Sequence, residues 1–279
     1  MLKGLMVKVV KSSLPIKEAG LVLGIVLGDK SGFSHQFYQK LIDSGLVHIV
    51  VASGTNVMLV SSLVIENLAY ILGRKKAIVV GLGVLWWYAL MVGLEAPILR
   101  ASLLMTIFYW SRLLGRKYSL SRGLLVTVAI MLLIDWQMIK EVSFWLSLMA
   151  FLGVLTYRGR HSWALTLWVM VWVWPILSLV FGRLALLSFV FNMLVLFLVE
   201  TISLVGLGAM LVGLVWPMVA RWWLWLIYPL LRYFVMVVEW GADLNWIVDF
   251  NFNWWMLVGW YLILFWWLEK RKKRQKLCC

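Results

Sequence analysis

Residues 184–200 read LALLSFVFNMLVLFLVE, and residues 202–220 read ISLVGLGAMLVGLVWPMVA. Neither stretch alternates apolar with polar positions, as barrel strands of about ten residues would. Both stay apolar over nearly the roughly 20 residues that a helix needs to cross the hydrocarbon of a bilayer. Only helices and closed barrels satisfy every backbone group in lipid, so runs of this kind specify membrane helices. The remaining sequence agrees: of 279 residues, 64% are hydrophobic and 14% charged, with a mean hydropathy of +0.94. A water-soluble domain sits nearer half apolar and about a quarter charged, which excludes a soluble globular fold. Polar tracts and repeats, the marks of disordered or fibrous chains, are missing. The expected fold class is all-α: a polytopic transmembrane helical bundle of about 8–10 membrane segments, broken and amphipathic helices included.

Working outward, the candidate segments are 44–72, 77–94, 97–114, 123–139, 142–157, 161–181, 184–200, 202–220, 222–239 and 253–268. Trp86, Trp87, Trp110, Trp163, Trp222, Trp223, Trp254, Trp266 and Trp267 lie near segment ends, as in aromatic belts. Trp168, Trp172 and Trp174 fall mid-segment and are expected to fill the bundle. The net charge is +14, and fourteen of the 26 basic residues lie in three loops and the tail. The loop clusters are Arg74/Lys75/Lys76, Arg116/Lys117/Arg122 and Arg158/Arg160. Two segments separate neighbouring clusters, so all three can be cytoplasmic together, as the positive-inside rule requires. Most of the charge is therefore an orientation signal rather than a nucleic-acid surface.

The tail Lys270-Arg271-Lys272-Lys273-Arg274 also belongs in the cytoplasm, yet five candidate segments separate it from Arg160. One of the five should not cross, and 222–239 is the choice. At about 100° per residue, Arg221, Tyr228, Arg232 and Glu239 fall on one line, and Pro229 interrupts the segment. This reads as an amphipathic helix at the interface or along a polar cavity.

Residues 1–43 are expected to form an N-terminal membrane-surface segment, followed by a transmembrane domain over 44–268 and a basic cytoplasmic tail over 269–279. Met1 to Lys17 carries four lysines without an apolar core of useful length, so no secretory signal is expected. Ala19 to Gly28 is apolar but about half the length needed to cross. Gly20, Gly24, Gly28 and Gly32 recur every four residues, the small-residue spacing that lets helices approach closely. Phe33, Phe37 and Leu41 fall on one face of a short surface helix. Cys278 and Cys279 end the chain and cannot staple a fold.

Polar groups inside a membrane are expensive and are functional candidates by default. If 44–66 is one helix, Ser44, His48, Thr55, Ser62 and Glu66 lie within about 40° of each other, with Ser53-Gly54 as a kink. That stripe reads equally as the lining of a water-filled path and as a packing face with His48 and Asn56 hydrogen-bonded to neighbours. Ser143, Ser147, Ala150 and Tyr157 make a second stripe, of the small-residue kind that marks helix packing. Ser188 and Asn192 read similarly. Arg100 follows Pro97 by one turn, near Glu95, and either snorkels or lines a path.

Chemistry is thin. Three histidines without Cys or HExxH spacing give no zinc site, and Gly24 to Ser31 misses the phosphate-loop spacing. Ser53 and His48 lie about 140° apart on a continuous helix, and His161 would have to reach Ser53 from another helix. No catalytic residue, metal or cofactor is expected.

Residues 44–60, SGLVHIVVASGTNVMLV, resemble the signature segment of the ComEC-type competence proteins. Three further stretches follow in that family's order: YALMVGLEAPILRA at 88–101, FWLSLMA at 144–150, and the segment 186–196 around Asn192. This sequence has Asn56 where the family usually has His, and Asp135-Trp136 where it often has Asp-Pro. Larger members add an external OB-type domain and a metallo-β-lactamase-like domain. No soluble stretch here exceeds about 45 residues, so neither domain, nor a nuclease role, is expected.

The resemblance implies a channel for single-stranded DNA across the cytoplasmic membrane. A charged strand needs a wet path with polar or cationic groups and aromatic faces. The candidates for that path are His48, Ser53, Thr55, Asn56, Ser62, Arg100, Ser147, Asn192, Tyr228 and Arg232, with Arg100 at the outer mouth. The implied partners are single-stranded DNA, the lipid bilayer, separate OB-type, nuclease and cytoplasmic helicase or strand-binding proteins, and a second copy of the chain. The alternatives are a small-solute transporter built on Ser53-Gly54 and an intramembrane serine hydrolase around Ser53.

Overall fold

The computed structural model describes residues 2–47, 49–50, 54–159, 161–181, 184–185, 188–244, 247–248 and 253–277. Among these the chain is almost entirely helical. In order the helices are α1 (Leu2–Ser13), α2 (Ile16–Leu27), α3 (His35–Asp43), α4 (Gly54–Leu72), α5 (Arg74–Val92), α6 (Ala96–Leu113) and α7 (Leu120–Ile134). There follow α8 (Val142–Thr156), α9 (Ser162–Phe181), α10 (Ser188–Val212), α11 (Pro217–Leu226), α12 (Tyr228–Asp243) and α13 (Trp254–Leu277). Two-residue strands β1 (Leu184–Ala185) and β2 (Ile247–Val248) pair antiparallel, Leu184 opposite Val248. Among the described residues α5, α9 and α10 are long and apolar enough to cross a membrane, and the bent pair α11–α12 makes a fourth candidate.

The chain divides into two units, Met1–Ile139 with Leu187–Trp246, and Lys140–Leu186 with Ile247–Cys279. At the centre of the first lies α2, IKEAGLVLGIVL, buried from Glu18 to Leu27. A helix apolar on every side has no solvent face and belongs inside a core. Twelve residues rise only about 18 Å, well short of the roughly 30 Å of bilayer hydrocarbon; α2 starts at the exposed Ile16 and ends inside the unit. It stops at Gly28, whose φ of 66° is left-handed, a conformation glycine adopts without steric cost. The Gly28 and Asp29 amides donate back to the carbonyls of Gly24 and Leu23 at 3.0 and 3.2 Å, and the 5→1 bond from left-handed Gly28 is the αL closure of a helix end. Partial burial pushes the Asp29 carboxyl up, but hydrogen bonds from Ser31 and the charges of Lys3 and Lys11 outweigh it and hold it below the usual carboxylate range.

The glycine repeat has a different partner from the helix expected of it. A Cβ on Gly20 would sit 3.0 Å from the Gly32 carbonyl, and one on Gly24 would sit 2.6 Å from the Val50 carbonyl. The stripe thus admits the loop after α2 and the segment before α4, whose backbones come too close for any side chain. The Phe33/Phe37/Leu41 face forms as expected: Ser34 Oγ caps α3 by accepting from the Phe37 amide at 3.2 Å, and Phe37 and Leu41 are buried.

Three expectations are corrected. Residues 44–66 are not one helix: Ser44 caps the C-terminus of α3 with its hydroxyl on the Leu41 carbonyl, and α4 starts only at Gly54. The stripe of Ser44, His48, Thr55, Ser62 and Glu66 therefore does not assemble along one axis. Residues 184–200 and 202–220 are not two segments either, because α10 runs unbroken from Ser188 to Val212. Glu200-Thr201 interrupts the hydropathy but not the helix, since Glu is a good helix former and a single Thr costs little. Segment 222–239 is likewise split at Ile227 into α11 and α12, bent by 51°, with Pro229 in the first turn of α12, where a missing N–H costs nothing.

In the second unit, α8 packs on α9 where Gly153 leaves room for Val169 and Trp172. Pro175 inside α9 has no N–H to give the Val171 carbonyl, the partner four residues back. Trp260 of α13 supplies it instead, donating Nε1–H to Val171 O at 3.2 Å, and Tyr261 Oη donates to Trp172 O at 2.6 Å. The mid-segment tryptophans do fill this unit: Trp172 is fully buried and meets Phe265 edge-on at 5.5 Å, while Trp168 and Trp267 pack at 5.6 Å.

Candidate functional site

The last turn of a helix leaves carbonyls without intrahelical partners, and for α2 that turn is buried. The αL closure at Gly28 leaves the Ile25 and Val26 carbonyls to be satisfied from elsewhere. Asn56 on α4 donates Nδ2–H to Ile25 O at 2.5 Å, and Tyr88 on α5 donates Oη–H to Val26 O at 2.7 Å. Ser203 on α10 completes the node, its hydroxyl donating to Asn56 Oδ1 at 2.9 Å. Four helices are thereby fastened to one another through buried polar groups. Hydrogen bonds of this sort contribute modestly when made and cost about 1–3 kcal/mol each when one partner is deleted.

One helical turn from this node α4 touches α6. A Cβ on Gly54 would lie 2.8 Å from Ala101 Cβ and 3.4 Å from the Pro97 carbonyl. Between those two positions stands Arg100, 8% exposed, with Nη1 lacking any hydrogen-bond partner among the described residues. No ion pair to it is formed among them either. Arg100 stands one turn into α6, whose start has Glu95 at the N-cap, Pro97 in the first turn and no side-chain cap hydrogen bond. A buried guanidinium there offers a seat for an anion.

The other sequence candidates are scattered. His48 and Ser53 lie outside the described residues, and of Thr55 only the backbone, within α4, is described. Ser62 turns inward on its own helix, donating to Leu59 O. Ser147 is half-buried on α8, in the second unit. Asn192 on α10 is buried, and its Oδ1 has no partner among the described residues. Tyr228 packs on Trp225 at 5.0 Å. Arg232 is paired: its Nη1 lies 3.6 Å from Glu18 on α2. Lys17–Glu239 at 2.6 Å and Lys40–Asp243 at 3.4 Å continue that seam, so the charged line read on 222–239 tethers α12 to α2 and α3.

Tyr88 and Ser203 were not singled out by sequence as site residues. Tyr88 does open the YALMVGLEAPILRA stretch, whereas nothing around Ser203 marks it. Glu200 was read as a segment end; it is an exposed carboxylate midway along α10. No three His, Cys, Asp or Glu side chains cluster to hold a metal ion among the described residues.

Asn56, Tyr88 and Arg100 thus come from two of the four stretches that carry the resemblance, all within one unit. A family model described as competence protein matches residues 25–274. The chain belongs to the competence-protein family. That match takes in all four resembling stretches. Curated relatives include the uncharacterized protein YcaI of Escherichia coli (strain K12), 24% identical over 230 residues, which are 74% of this chain and 30% of the relative. An uncharacterized protein of Aquifex aeolicus (strain VF5) is 34% identical over 135 residues, 48% of this chain and 32% of the relative. This competence-family chain spans about a third of the length of these relatives. No solved structure matches it.

Proposed function

We propose that this competence-family protein is the membrane channel component that passes single-stranded DNA across the cytoplasmic membrane in natural transformation, acting as a conduit and not as an enzyme. The observation that carries the reading is Arg100, a buried cation without a counter-ion among the described residues, in a chain of this family. Holding an unpaired charge out of water costs several kcal/mol, and such groups persist in membrane proteins where they meet a substrate. A phosphodiester supplies the missing anion. Asn192 Oδ1 is a further buried polar atom without a partner among the described residues.

Large apolar side chains cover the outside: Leu133 and Trp255 are each 86% exposed. Soluble monomers rarely expose apolar area on this scale, and acyl chains would cover it. The unbroken α10 supports a cytoplasmic tail. With α9, α10, the α11–α12 pair and α13 each taken as one crossing, an even number of segments separates Arg160 from the basic tail. A reporter fused after Lys276 is expected to read as cytoplasmic, and an external reading would refute that topology.

Movement of the strand is drawn from the cytoplasmic side by a helicase or strand-binding protein. The test is complementation. In a naturally competent host lacking its own competence-family channel, this gene restores transformants from external DNA. Restored uptake of a small solute without transformants would favour the transporter reading instead.

A further inference from the structure

The second unit holds an open cavity of about 450 Å³ where α8 ends, the following loop turns and α9 begins, closed on one side by α13. Its wall brings together Tyr157, Trp163, Trp168 and Trp267 with two cation-forming groups, Arg158 and His161. We infer that this cavity seats one nucleotide of a single strand, the base on the indole faces and the phosphate toward Arg158. The inference deepens the conduit reading and rests on it.

Three features point to stacking. The rings are oriented in advance: Trp168 Nε1 donates to Thr156 Oγ1 at 3.0 Å, and Tyr157 Oη donates to the His161 carbonyl at 2.7 Å. In an aromatic belt such donors reach for lipid headgroups; here both are consumed inside the unit, so the rings offer faces. Next, the faces are accessible: Trp163 is 54% and Trp267 41% exposed, with His161 stacked on Trp163 at 6.0 Å and 23°. Finally, the size lies in the range of small-ligand sites, about 300–1,000 Å³, and an aromatic wall with a cation at its rim is how single strands are held without sequence preference. By the orientation above, Arg158 faces the cytoplasm, where an emerging strand would meet the cavity.

The test uses the full chain in neutral-lipid nanodiscs and fluorescein-labelled oligo(dT), read by anisotropy. Trp163→Ala with Arg158→Gln is expected to weaken binding about 10-fold or more, base stacking alone contributing about 1–3 kcal/mol per base. Arg158→Gln alone should flatten the salt dependence by about 0.7 in log–log slope, one phosphate contact. Trp163→Ala alone should leave binding of an abasic deoxyribose-phosphate oligomer unchanged. Because Trp163 is at the rim, its loss removes little packing, and unchanged thermal melting confirms an intact fold. Equal oligo(dT) affinity of parent and variants overturns the cavity while leaving the conduit reading intact. So does a variant defect confined to retention of phosphatidylglycerol, which would assign the cavity to lipid. Failure of the parent chain itself to bind oligo(dT) overturns both.

Discussion

Replacing Arg100 with Gln is expected to lower transformation by on the order of 10- to 100-fold while leaving the protein at least as stable as its parent. The two halves of that expectation come from one observation. Arg100 is 8% exposed and its Nη1 has no partner among the described residues, so the guanidinium bears a desolvation cost with no ion pair among them in return. Gln keeps most of the volume and removes the charge, which relieves that cost. When a phosphodiester occupies the seat, the loss is a charge-assisted contact, about 1.5–3 kcal/mol, and each 1.4 kcal/mol is about a factor of ten. A residue that only packed would behave the other way, its removal lowering melting temperature and activity together. Arg100→Lys should keep part of the activity, since it retains the charge but not the planar fork that engages a phosphate at two points. Transformation frequency, read beside membrane protein level and thermal melting in detergent, checks all three.

Asn56→Leu is expected to be among the most destabilising single changes in the first unit, by about 2–5 kcal/mol. It strands the Ile25 carbonyl and the Ser203 hydroxyl, each costing about 1–3 kcal/mol when left unsatisfied in the interior. Tyr88→Phe strands the Val26 carbonyl alone and should cost about half as much. Asn56→His is expected to be tolerated. A neutral imidazole has one donor and one acceptor, the same pair of functions that Asn56 uses here toward Ile25 and Ser203. This explains in chemical terms how Asn can stand where the resembling family usually has His. Melting of the three variants in detergent, with the order Asn56→Leu, Tyr88→Phe, Asn56→His from least to most stable, is the measurement. Asn56→His melting as low as Asn56→Leu would contradict the shared donor–acceptor role.

Much of the architecture was legible because it is local. The continuous apolar runs specify helices, the spacing of Phe33, Phe37 and Leu41 specifies the buried face of α3, and mid-segment Trp172 reads correctly as filling. Segment boundaries were less legible, because hydropathy is not helicity: Glu200 interrupts one and continues the other. The polar stripe on 44–66 failed for a related reason, since an apolar count cannot see that α3 ends at Ser44 and α4 begins at Gly54. Arg232 shows its charge in the sequence but not its partner, because Glu18 stands on a helix that is distant in sequence. The node at the end of α2 was the least legible feature. Its bonds join residues 31, 62 and 147 positions apart, and no periodicity records such pairings. Only the motif stretches hinted that Asn56, Tyr88 and Arg100 belong together.

The conduit reading is tested most directly by passage itself. Purified chain is placed in sealed neutral-lipid vesicles with a single-strand-binding protein trapped inside as the sink, and labelled DNA is added outside with nuclease to digest whatever stays there. Protected single-stranded DNA is expected to accumulate in these vesicles above empty ones, to fall with Arg100→Gln, and to be absent when duplex is supplied. Accumulation no greater than in empty vesicles, or equal entry of duplex and single strand, would show that this chain is not a conduit for single-stranded DNA.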